Sequence, residues 1–94
     1  GDPEFLKKMV NLFLVETEKE IALINMAIDE SDFKQIRLTA HKIKPSINYV
    51  CIVRLFDEVK AIEIYKNDDN AFLQKTRLFI FDLKLVLEQL KTIK

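Results

Sequence analysis

The chain has 94 residues, 49% of them hydrophobic, with one Gly, two Pro, one Cys and a formal net charge of zero. That length makes one domain, and the shortage of turn formers points to helices rather than a sheet. A neutral chain lacks the basic excess that nucleic-acid binding needs, no apolar run is long enough to span a membrane, and one His with one Cys leaves too few ligands for a zinc site.

Residues 1–5, G-D-P-E-F, read as an expression-vector remnant running into a helix start, and residues 6–94 as a single helical domain. Lone Cys51 gives no disulfide framework, and no signal peptide is visible, so a reducing, cytoplasmic setting and a monomer without direct membrane contact are expected.

Four amphipathic segments follow, at about 4–29, 32–49, 52–66 and 70–92. In the first, Leu6, Val10, Phe13, Thr17, Ile24 and Ile28 line one side, while Phe5, Leu12 and Leu23 form a second apolar face. Asp29-Glu30-Ser31-Asp32 then supplies capping oxygens, and Phe33, Ile36, Ala40, Ile43, Ile47 and Val50 recur three and four apart. Only small Cys51 and the end of this pattern mark the next break. In the third segment the stripe is Ile52, Leu55, Phe56, Val59 and Ile62. Asn67-Asp68-Asp69-Asn70 caps the last one, lined by Phe72, Thr76, Phe79, Leu83, Val86 and Leu90. Four such helices with short connections predict an all-α antiparallel four-helix bundle, packed at roughly 20°. Phe56, Phe72, Phe79 and Phe81 are expected in the core, Glu58 and Glu63 in solvent, and Tyr49 and Tyr65 near the bundle ends.

The one histidine lies in the second segment, within A-H-K-I-K-P-S at residues 40–46. On a helical wheel the six apolar positions of that segment fill an arc of about 100°, and His41 lies roughly 130° from its centre, facing solvent. Lys34, Arg37, Lys44 and Asn48 share its stripe. A surface histidine in a charged row most often carries no function. Here, however, the cations favour the neutral, nucleophilic imidazole and would then stabilise a phosphoryl group attached to it. Pro45 lacks the N–H that would bond the His41 carbonyl, so a bend or a lost ladder bond is expected at that turn.

These residues resemble the signature of histidine-containing phosphotransfer (HPt) domains, which commonly reads A-H-x-L-K-G-S on the second helix of a four-helix bundle. His41 matches the phosphorylated histidine, Lys44 the phosphate-stabilising lysine three residues on, Ile43 the aliphatic position and Ser46 the small polar one. Pro45 departs from the pattern, since the family usually has glycine there, leaving room for the incoming partner. The resemblance implies a phosphorelay intermediate that takes a phosphoryl group from a receiver-domain aspartate and passes it to another receiver. It implies no cofactor on this chain, with Mg²⁺ on the receivers, and a possible origin within a hybrid sensor kinase. Lys34, Arg37, Pro45, Ser46 and Asn48 would support His41 and Lys44, and Leu12 and Leu38 would meet the receiver. Such a chain is a carrier that becomes modified, not a self-sufficient enzyme. Two rival functions differ in class. A sensor-kinase dimerisation hairpin would have an acid just after the histidine, where Lys42 stands, and proline five places on rather than four. A helical interaction module would need no phosphochemistry.

Overall fold

The computed structural model describes residues 3–50 and 53–92, the side chains of Tyr49 and Val50 excepted. The expectations placed on Tyr49, Val50, Cys51 and Ile52 lie outside the described residues. Helices α1 (Pro3–Asp29), α2 (Phe33–Val50), α3 (Val53–Ile64) and α4 (Asn70–Lys91) form an antiparallel four-helix bundle. Each packs against its neighbours around the ring, α1 on α2, α2 on α3, α3 on α4 and α4 back on α1. Helices α2 and α4 therefore stand on opposite sides.

The stripes meet in one core. Ile24, Ile36, Ile43, Ile47, Leu55, Val59, Ile62, Phe72, Phe79 and Leu83 are fully buried, each worth about 1.5–3 kcal/mol relative to exposure. Two expectations fail. Leu6 is exposed, because α1 has 27 residues against 18 in α2 and 22 in α4, the helices it packs on, and the end of α4 reaches only Glu18. Phe81 is exposed as well; it sits on the side of α4 away from Phe79 and Leu83. The wheel also missed buried Leu14, Ile21, Thr39, Ile80 and Leu87, which fill the seams between neighbouring helices.

The connections explain where the helices stop. Ser31 adopts a left-handed φ of 53°, which lets Asp32 N–H reach the Ala27 carbonyl at 2.8 Å and Ser31 N–H the Ile28 carbonyl at 3.1 Å. This is the paired closure of a helix C-terminus usually built on glycine. Asp32 then caps α2 by accepting from Gln35 N–H at 3.1 Å. Helix α3 ends at Ile64 rather than Lys66. The Arg37 guanidinium donates to the carbonyls of Tyr65 and Asn67 and to the Asp68 carboxylate, at 3.1, 3.2 and 2.7 Å. Asp69 caps α4 through Phe72 N–H and also accepts from the Tyr65 hydroxyl, both at 3.0 Å. With Arg37 lying 4.4 Å over the Phe72 ring, the start of α2 is clamped to the α3–α4 connection.

Candidate functional site

The helix α2 continues through Pro45 to Val50, so proline does not end it; only the bond to the His41 carbonyl is chemically impossible. His41 stands on the outer face of α2, its side chain 77% exposed. Packing of α2 between α1 and α3 gives the imidazole two unlike flanks.

The α3 flank is charged. Glu63 brings a carboxylate oxygen to 3.7 Å from His41 Nδ1 and to 3.5 Å from Lys44 Nζ. The first distance is electrostatic rather than a hydrogen bond. Nδ1 is the ring nitrogen turned towards the carboxylate. Lys44 is half-buried and also lies 5.7 Å from the Phe56 ring centroid, so its ammonium is held beside the histidine instead of ranging through solvent. Glu63 is 19% exposed, with its second oxygen buried and unpartnered.

The α1 flank is apolar. Met9, Leu12, Phe13, Pro45 and Ser46 line a groove of ≈ 290 Å³ with Glu16 at its rim. Leu12 and Leu38 are both exposed. Pro45 is thus a wall of this groove, one turn along α2 from His41.

Of the residues singled out from the sequence, Lys44 stands with His41, while Arg37 is committed elsewhere, bound to Asp68 and the α3–α4 connection. Lys34 is exposed two turns ahead, and Asn48, also exposed, keeps an interaction of its own. The expectation of solvated glutamates on α3 is corrected for both: Glu63 joins the His41 site, and Glu58 is half-buried against α4. A signal for this was present. Glu58 and Glu63 each lie about 70° from the centre of the Leu55–Val59–Ile62 stripe, on opposite flanks, which points them at neighbouring helices.

Glu58 faces Asp82, a buried residue of α4 that Arg54 also reaches at 3.2 Å. Burial, then the hydrogen bond to Asp82 and its charge, push the Glu58 carboxyl up to about 7, against a smaller downward pull from Arg54. No group of acidic, histidine or cysteine side chains able to hold a metal occurs among the described residues.

Four helices of one chain close into a bundle that presents an exposed histidine beside a half-buried lysine, whereas a kinase dimerisation hairpin would bring only two helices per chain. The Hpt domain family model matches residues 8–93, nearly the whole chain, and the chain belongs to that family. Hpt domains act as phosphorelay intermediates and work with the receiver domains of two-component systems. No curated protein and no solved structure gives a significant match. No helix among the described residues is long and apolar enough to cross a membrane.

Proposed function

We propose that His41 is the phosphoryl carrier, charged by the aspartyl phosphate of one receiver and discharged to the aspartate of another. Nε2 attacks phosphorus in line, an N–P bond forms, and the P–O bond to the donor aspartate breaks, returning that carboxylate. The imidazole ring then carries positive charge shared with Nδ1–H, which faces the Glu63 carboxylate. Lys44 meets the phosphoryl oxygens. Discharge reverses each step on the acceptor. Positioning and electrostatics are all that the chain contributes, and the receivers supply Mg²⁺.

The observation that carries this proposal is the exposed His41 imidazole with Lys44 on the same face, inside a family-matched bundle. The apolar groove and Leu38, on the other flank, suit receiver docking, with a hydrophobic patch rimmed by charge. Lys34 and Asn48 lie on the same stripe as outer contacts, and Arg37 supports the site by anchoring α2. Incubation with a phosphorylated receiver tests the proposal. Acid-labile, base-stable phosphate should appear on the wild type and be absent from His41→Gln, whose helical content should be unchanged because the side chain is solvated. Labelling of the variant would remove His41 from the role.

A further inference from the structure

The side of the bundle opposite His41 carries an apolar ridge that the phosphorelay does not use. Leu78, Phe81 and Leu85 are 56%, 61% and 47% exposed and recur three and four residues apart, the spacing of a seam between two helices. On the wheel they centre nearly opposite the buried Phe72, Phe79 and Leu83. Beside Phe81 a hollow of ≈ 370 Å³ lies between α4 and the end of α1, floored by Ile28 and Ile80. Asn25 and Asp29 of α1 also line it, and Arg77 and Lys84 of α4 stand at its edge, two cations against one acid. Both cations are exposed, and neither forms an ion pair or hydrogen bond among the described residues. Lys91, further along α4, is by contrast paired with Glu18 and Glu88.

We infer that this ridge is a second docking surface, fitted to one amphipathic helix whose apolar edge is flanked by acidic side chains. The apolar edge would cover Phe81 and fill the hollow, and the acids would meet Arg77 and Lys84. A second copy of this chain fits poorly. Antiparallel apposition of two α4 helices brings Arg77 and Lys84 of one copy towards those of the other, and like charges so placed repel. Three side chains per copy also fall well short of the roughly 800 Å² per partner of a stable interface. A single helix that also fills the hollow beside Phe81 adds area the ridge alone lacks and supplies the missing charge. Because α2 and α4 stand across the bundle from each other, such a helix and a receiver at His41 would not collide, and the inference does not depend on the chemistry proposed for His41.

The probe is a capped peptide of about three heptads with leucine at the seam positions and glutamate at the flanking ones, used beside a twin carrying lysine for glutamate. Amide shift mapping of the whole chain should show the glutamate peptide perturbing residues 77–85 and the end of α1, while the turn around His41 stays still. It should bind about tenfold more tightly than the lysine twin, the scale of two partly exposed charge pairs. The double variant R77E/K84E should reverse that order. Phe81→Ser should weaken binding while leaving the thermal melt unchanged, which separates a lost surface from a lost fold. Equal binding of the two peptides, no binding, or shifts confined to α2 would overturn the inference. So would a dimer, detected by sedimentation, that Phe81→Ser dissolves, since the ridge would then belong to a second copy. Cosedimentation with vesicles of phosphatidylcholine and phosphatidylserine that depends on Phe81 would overturn it in favour of a lipid surface.

Discussion

Helix α3 carries two glutamates on its two flanks, and their neighbours decide what each becomes. Glu63 faces α2 and meets the Lys44 ammonium and the edge of the His41 ring. Glu58 faces α4 and meets another carboxyl, Asp82. The same side chain, half-buried in both places, is therefore an anionic partner in one seam and a proton holder in the other. Position along the helix does not decide this. The charge presented by the neighbouring helix does.

The contrast can be broken most severely at Lys44. Lys44→Ala should slow transfer from a phosphorylated receiver by roughly ten- to a thousand-fold, the cost of losing one charge aimed at a developing phosphoryl group, with little change in melting temperature. An unchanged rate would return the α2–α3 seam to a purely structural role. Glu63→Gln keeps the shape and removes only the charge. If the carboxylate steadies the ring as it becomes positive, transfer should slow by roughly fivefold, the rate equivalent of about 1 kcal/mol. A rate that rises instead would mean that freeing Lys44 matters more than steadying the ring.

The other seam is tested by pH. The folded Glu58 carboxyl titrates at about 7, above its ordinary 4.5, so the protonated form is the one the fold favours. Its contribution is complete below pH 4.5 and is lost as the pH rises through 7. Thermal melts should therefore show stability falling between pH 5 and 8. Partial exposure screens the pair, so the swing is on the order of 1 kcal/mol, or roughly 4–8 °C for a domain of this size. Glu58→Gln, which keeps a hydrogen bond for Asp82 without titrating, should flatten that slope. A wild-type melt that is flat across this range would sink the account.

The smallest effect on stability is expected at Pro45. Pro45→Gly restores one N–H to the α2 ladder while placing a glycine in mid-helix, a cost of about 1 kcal/mol relative to alanine, so the two changes nearly offset. The groove beside His41 loses a wall, and the relative transfer rates across a panel of receivers should change, with generic receivers gaining more than a cognate one. Identical rates across the panel would make Pro45 a tolerated residue with no part in partner choice.

Much of this was legible in the sequence because a helix reports its own buried face through period alone. Ile36, Ala40, Ile43 and Ile47 were placed correctly on that ground, and His41 was placed in solvent by the same wheel. Periodicity does not report which neighbour a flanking residue will meet. Glu63 lies 22 positions after His41, and nothing local ties the two together. Arg37 looked like part of the histidine's basic row, yet its guanidinium is drawn to free carbonyls in the α3–α4 connection, an opportunity that exists only once the chain has turned back. Phe81 failed for a different reason. An aromatic residue two positions from both Phe79 and Leu83, and so on the other side of the helix, was counted with the core, although a surface open to solvent can carry such residues singly or in ridges.

Lys44 does not wait empty-handed. Its ammonium already leans on the Glu63 carboxylate and the Phe56 ring, so an arriving phosphoryl group in the proposed relay does not meet an idle charge but competes for an engaged one. Part of the attraction is spent on separating the lysine from its carboxylate, and that part is refunded when the cargo departs. A site wired this way grips its load less tightly than a bare lysine would. For a courier that must surrender what it carries, a loose grip keeps both legs of the journey downhill enough to run.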